Sequence, residues 1–368
     1  MTPPGPRQPF DLFCRVIDNY GDAGVCWRLA RQLRALGHPV RLWIDRLAPL
    51  AALAPAIQVR RATQTWAGVT VNDWAQAAHT PPPRQGVVIE AFGCTLPSPY
   101  QAAMAAQECL WINLEYLSAE AWVDGCHGLP SPQAGGLKKF FYFPGFSPAS
   151  GGLLREPDLF ARHGQARRQD RFQRLQALTG LDTCGWARDA WLILLFCYPD
   201  APLDGLRTAL SRLDRPVYVL TPGHAPPGFD SLGAMRVLPF DFVPQDRFDA
   251  LLWCCDLNFV RGEDSLVRAI WAGAPLVWHI YRQAEAAHLD KLNAWLDRAQ
   301  WPAPARALTL AWNQEDDAAL ARDLAAALAP APWAQWRRRS RNWARDLARQ
   351  PDLAQSLVAF CLHHRQTG

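Results

Sequence analysis

The chain has 368 residues, of which 49% are hydrophobic and 20% charged, and carries a formal net charge of +4. This composition excludes a disordered chain, and the length suggests two domains, each able to bury its own core. The mild positive charge permits an acidic partner without requiring one. No apolar run is long enough to span a bilayer, and residues 1–6 lack the basic start and apolar core of a signal peptide, so the expected compartment is the cytoplasm. The ten cysteines lie mostly in apolar segments without a Cys-x-x-Cys pair, which reads as buried thiols, neither a disulfide framework nor a zinc site.

Residues 10–17 read as a buried first strand and 18–24 as the loop that ends it. Val25, Leu29, Leu33 and Leu36 then recur at helical spacing until Gly37, and residues 39–44 resume an extended run. This is a βαβ unit, with its loop at the carboxyl end of the strand, where open α/β sheets bind ligands. Apolar runs at 86–92 and 110–114, separated by a helical segment over 101–107, continue the alternation and predict a parallel sheet flanked by helices. From Leu117 to Pro157 glycine, proline, serine and aromatics dominate, and the expectation is long loops lining an interdomain surface with most rings packed together.

A basic helix around 167–178 precedes a second α/β series, with strands at 191–197, 217–220 and 235–238 and helices at 203–213 and 244–255. The domain boundary is placed near residue 182. The run from Leu257 then breaks into Arg261-Gly-Glu-Asp-Ser265, continues with apolar residues at helical spacing, and closes on Gly273 and Pro275. Asp264 or Ser265 is suited to cap the helix start, and Gly262 lets backbone approach a ligand. The turn combines free amide groups, the positive end of a helix, an arginine and two carboxylates, which suits a phosphorylated polar ligand; an ordinary capped βα turn fits equally well. The arginines and tryptophans of 333–343 read as an amphipathic helix, tryptophans buried and arginines solvated. His363 and His364 have no spaced partner ligands and are not a metal site.

Neither half carries Gly-x-Gly-x-x-Gly or a Walker loop, which argues against a conventional NAD enzyme and a P-loop NTPase. No Asp-x-Asp occurs, so a metal-bridged diphosphate site is not indicated. By fold analogy, two such domains fit a nucleotide-sugar transferase, the second holding the donor and the first the acceptor, with chemistry in the cleft. Asp18 and Asp22 supply two carboxylates facing that cleft. Their bland reading is a helix cap at Asp22 and a turn former at Asp18; the functional one is a base or an anchor for a cationic or hydroxyl acceptor. Two other classes stay open: a transferase with a small-molecule or lipid acceptor, and a non-catalytic nucleotide-sugar or RNA-binding module.

Residues 16–33, the Phe196 to Pro199 strand end, Asp241 to Phe248, and Phe259 to Ala269 together resemble the EarP family, protein-arginine rhamnosyltransferases acting on bacterial elongation factor P. The resemblance covers nearly the whole chain in order. It implies a GT-B glycosyltransferase fold of two Rossmann-like domains facing a central cleft: an acceptor domain over 1–182, a donor domain over 183–344, and a terminal helix, about 345–368, packing back on the first. It further implies a dTDP-β-L-rhamnose donor, inverting transfer to one arginine of elongation factor P, and no metal, membrane or nucleic acid. Carried over by position, Asp22 is the base, Asp18 its partner carboxylate and Glu263 an essential residue. Arg261, Asp264, Ser265, Phe242, Gln245, Phe248, Phe196, Tyr198 and Gly21 fall at donor-site positions. The residues agree with this, because Phe242 or Phe248 offers a ring to stack on thymine and Arg261 with the helix N-terminus would neutralise a diphosphate. A guanidinium keeps its proton in water, so the implied reaction has Asp18 and Asp22 hold the acceptor arginine first, and Asp22 take the proton as the C–N bond forms.

Overall fold

In the computed structural model, which describes residues 7–133, 136–283 and 286–366, the chain divides into two compact units: Met1–Glu156 with Gln350–Gly368, and Pro157–Arg349. The first unit is built on strands β1 (Phe10–Cys14), β2 (Val40–Ile44), β3 (Thr63–Trp66), β4 (Val69–Asp73), β5 (Val87–Ala91), β6 (Leu110–Leu114), β7 (Pro130–Pro132) and β8 (Lys138–Tyr142). They form one sheet in the order β3-β4-β2-β1-β5-β6-β8-β7, parallel except where β3 and β7 pair antiparallel at the two edges. Helices α1 (Asn19–Ala35), α2 (Leu47–Leu53), α3 (Ser98–Met104) and α4 (Trp122–Cys126) connect the strands. Every residue of β1 and of β5 is buried, the pattern of strands covered on both faces. Phe13, Trp43 and Tyr100 pack together over the sheet, with ring centroids 4.8–6.2 Å apart.

The second unit opens with α5 (Leu159–Ala166) and α6 (Arg171–Thr179), and then alternates β9 (Trp191–Leu195), α7 (Leu203–Ser211), β10 (Val217–Pro222), β11 (Met235–Phe240), α8 (Gln245–Leu252), β12 (Leu257–Arg261), α9 (Gly262–Ala272) and β13 (Leu276–His279). Its sheet is wholly parallel in the order β11-β10-β9-β12-β13, so β9 and β12 lie side by side, with Phe259 opposite Leu195. Helices α10 (Ala287–Ala299), α11 (Ala303–Asn313), α12 (Asp317–Leu328) and α13 (Pro330–Leu347) follow. In α13, Trp336 and Trp343 are buried while Arg337, Arg338, Arg341 and Arg345 face solvent, as the amphipathic reading expects.

Two expectations need correction. The boundary falls at Glu156/Pro157 and not near 182, because α5 and α6 bind the second unit: Arg171 pairs with Asp256, Phe160 meets Trp271 edge-on, and Arg174 donates to the Trp253 carbonyl. At the other end, the terminal segment expected to pack back on the first unit joins it from Gln350. The Leu353 amide donates to the Leu153 carbonyl, Arg155 donates to the Gln350 carbonyl, and Phe360 packs edge-on against Phe140. The stretch read as loops over 117–157 also contains β8, whose Phe140 and Tyr142 alternate inward and pair in register with β6. Among the described residues no helix is long and apolar enough to cross a membrane.

Within the second unit, α8 and α9 are locked by a buried ion pair in which Arg268 Nε and Nη2 donate to the two Asp249 oxygens at 2.6 and 2.7 Å. Removing one partner strands a buried charge, so Arg268→Ala should cost about 3–5 kcal/mol, read as a lower denaturation midpoint. A loss below about 1 kcal/mol would show that the pair does not hold α9.

Candidate active site

Two βα turns carry the expected residues, one in each unit. In the first, β1 ends at Cys14 and α1 begins at Asn19, inside the stretch expected as a loop over 18–24. Asp18 is the N-cap but its side chain makes no capping bond; Asp22, in the first turn and 2% exposed, reaches back instead. Its Oδ2 accepts the amides of Ile17 and Asp18 at 2.7 and 2.8 Å. Asp22 therefore satisfies amides just ahead of the helix, a reversal of ordinary capping, and the turn is folded around its carboxylate. A Cβ at Gly21 would meet the Asp18 carboxylate, so a side chain there would displace Asp18 from its present position. The turn is also pinned from β2: Asp45 accepts the Val16 amide and Arg46 donates to the Val16 carbonyl, each at 2.9 Å. Cys14 and Cys26 are buried free thiols; the hydrogen bond between them, then burial and the neighbouring charges, Asp22 among them, push the Cys14 thiol well above its ordinary range, so it stays uncharged.

In the second unit, β12 ends at Arg261, and Gly262 takes a left-handed conformation at φ 65°, which a side chain would strain. Trp278 Nε1 donates to the Gly262 carbonyl at 2.9 Å and fixes the turn. The helix begins at Gly262, so Asp264 and Ser265 lie inside its first turns and the N-cap is Arg261, against the expected cap at 264 or 265. The Ser265 hydroxyl donates back to the Arg261 carbonyl, and Gln245 Nε2 donates to Asp264 Oδ2 at 3.0 Å, tying α8 to α9.

Because β9 and β12 are neighbours, Arg261 meets the residues after β9. Its Nη1 donates to the Cys197 carbonyl at 3.0 Å, and its guanidinium carbon lies 4.5 Å from the Phe196 ring centroid and 5.0 Å from that of Tyr198. Phe196 in turn meets Phe242 and Phe248, both at 6.1 Å. Phe248 is buried, whereas Phe242, Phe196 and Tyr198 are half-buried. Gln245, Arg261, Asp264, Ser265 and the four rings thus form one group at the carboxyl edge of the second sheet. Gly21 belongs to the other turn, with Asp18 and Asp22.

Four partners escape sequence reading. Lys291 Nζ lies 2.9 Å from Glu263 Oε1, and both side chains are largely buried. Lys291 sits on α10 with no local signal, 28 positions from its partner. Arg46 and Asp45 follow β2 and reveal themselves only once β2 lies beside β1. His279 ends β13, where its Nδ1 accepts the Tyr198 amide at 3.2 Å. Among the described residues no group of three His, Cys, Asp or Glu is arranged to hold a metal ion.

Burial pushes the His279 imidazole down to about 4, against the opposing charge of Asp200. The unfolded chain binds that proton near its ordinary value of about 6.5 while the folded chain does not, so the stability is present above that value and is lost as pH falls toward 4. Thermal melts should drop between pH 6.5 and pH 4 and His279→Asn should flatten that slope. An unchanged acid slope in His279→Asn would remove His279 from this role.

A family model described as elongation-factor P (EF-P) rhamnosyltransferase EarP matches residues 10–362. A protein-arginine rhamnosyltransferase of Pseudomonas putida is 45% identical over 96% of this chain and 98% of its own length. Its counterpart in Pseudomonas aeruginosa is 42% identical over 95% of this chain and 98% of its own. A solved structure described as the structural basis for EarP-mediated arginine glycosylation of translation elongation factor EF-P superposes with a TM-score of 0.64 at 33% identity, covering 96% of this chain and 98% of that one. The fold is therefore GT-B, and the chain belongs to the EarP family, a glycosyltransferase of the protein-arginine rhamnosyltransferase kind.

Proposed function

We propose that this chain transfers L-rhamnose from dTDP-β-L-rhamnose to one arginine of elongation factor P, in the cytoplasm, with inversion at the anomeric carbon and without a metal. The observation that carries the reading is the family match over residues 10–362, which spans both turns. Its relatives are named protein-arginine rhamnosyltransferases, and a solved relative is described as acting on EF-P.

In this reading the second unit holds the donor. Phe242 stacks on the thymine, since its ring is half-buried beside Phe196 while Phe248 is buried. Arg261 and the first-turn amides of α9 bind the diphosphate; a guanidinium carries five N–H donors, so the bond to Cys197 does not exhaust it. The Glu263–Lys291 pair gives Glu263 a job, holding the first turn of α9 against α10 and keeping a lysine beside the phosphate site. Asp264 and Ser265 are spent within the turn, on Gln245 and the Arg261 carbonyl, and contribute their amides.

The first unit holds the acceptor arginine through charge-assisted bonds to Asp18 and Asp22. One guanidinium nitrogen attacks the anomeric carbon, the bond from that carbon to the diphosphate oxygen breaks, and dTDP leaves with the electron pair. The attacking nitrogen becomes far more acidic as the C–N bond forms, and Asp22 takes its proton. A single displacement inverts the configuration and uses no enzyme nucleophile.

General-base catalysis contributes about 10²–10⁴-fold, so Asp22→Asn should lose kcat by that order in a rhamnose-transfer assay. Glu263→Gln should lose about 10²-fold, the scale of a misplaced binding group. Melting curves check that each variant is folded, because Asp22 also secures two amides. Near-normal transfer by either folded variant would sink its assigned role.

A further inference from the structure

A second cluster of charge lies in the Pro157–Arg349 unit, at the amino ends of β12 and β13, the sheet edge opposite Arg261. There a cavity of about 290 Å³ is lined by Arg167, Arg337, Arg341 and Arg345. Three of them recur every fourth residue along α13 and so share one helix face, where like charges repel. The fourth comes from the residue after α5. Among the described residues none of the four guanidiniums makes a hydrogen bond or ion pair. Burial, and then the charges of Arg337, Arg167, Arg345 and Arg338, push the Arg341 guanidinium below its ordinary range.

Two negative features face the same space. Asp256 lines the cavity, but Arg171 Nη1 lies 2.9 Å from each of its oxygens, so its charge is already paired. The C-terminus of α9 ends at Gly273 on the cavity wall and offers about half an elementary charge. Four cations outweigh it. The remaining wall is small apolar residues with aromatic rings among them: Trp253, stacked on His163 at 4.9 Å, and Trp271. The volume is near the lower end of the roughly 300–1,000 Å³ of small-molecule sites, and arginines are the side chains best matched to phosphate oxygens.

We propose that this cavity binds the polyphosphate group of a small molecule, at a site separate from the donor turn. The group supplies the counter-charge that the four arginines lack, and the tryptophans bound the space beside it. Inorganic pyrophosphate and a nucleoside triphosphate both carry this chemistry.

Titration calorimetry on the full chain with pyrophosphate, and separately with ATP, tests the proposal. Saturable binding of at least one probe should be weakened tenfold or more in the double variant Arg337→Gln/Arg341→Gln and retained in Arg261→Gln. Tighter binding of ATP would assign the aromatic wall to the base; equal affinities would assign the site to polyphosphate alone. Both arginines face solvent and repel their neighbours, so the double variant should melt no lower than the parent, and Arg345→Gln provides an independent second perturbation. No binding of either probe, binding that survives both sets of variants, or binding that disappears in Arg261→Gln would overturn the assignment.

Discussion

The Arg261 guanidinium lies against Phe196 and Tyr198 while donating to the Cys197 carbonyl, and this arrangement exists because β9 and β12 are adjacent parallel strands with Phe259 opposite Leu195, so that Arg261 comes level with the residues that follow β9. A charged side chain at the end of a buried strand needs a polar partner and a surface that tolerates charge. Ring faces and a carbonyl provide both at little cost in mobility. Around this cation the other elements take their places. Gly262 turns left-handed so that α9 can start at once, Trp278 ties down its carbonyl, and Gln245 and Lys291 bring α8 and α10 against the first turn. The N-terminal turn works by the same logic with the sign reversed. There a buried carboxylate, Asp22, is the centre, and the main chain folds around it.

Much of this was legible in the sequence. The parallel strands announce themselves as short apolar runs, and the two turns are marked by polar residues and glycine between a strand and a helix. The strands at 10–14, 87–91 and 191–195 fall inside the runs that predict them. The errors have physical causes. Residues 19–24 lack apolar periodicity, so the first turn of α1 has no local signal; what orders it is Asp22 reaching back to the amides of Ile17 and Asp18, just ahead of the helix. Residues 138–142 are rich in aromatics and lysine, and only pairing with β6 makes them a strand. The boundary at 156 depends on which sheet α5 and α6 pack against, a tertiary fact without a local signal. Capping was misjudged at Asp264 and Ser265 because Gly262, φ 65°, lets the helix begin earlier than a side-chain cap would.

Arginine does two different jobs in the second unit. Arg268 and Arg171 are neutralised by Asp249 and Asp256 and serve the fold. Arg167, Arg337, Arg341 and Arg345 converge on a cavity whose lone carboxylate is already paired. A helix face that gathers like charges raises the free energy of the empty protein, and a bound anion would relieve it. Both ends of one parallel sheet would then recognise phosphate by different means: a helix N-terminus with one arginine at the carboxyl edge, and side chains alone at the amino edge.

The central claim is that a sugar is joined to an arginine of elongation factor P. Incubating the full chain with dTDP-β-L-rhamnose and elongation factor P, then fragmenting the product in a mass spectrometer, tests it most directly. The account predicts one added deoxyhexose, located on a single arginine side chain. An unmodified elongation factor P, or a deoxyhexose on any residue other than arginine, would contradict it.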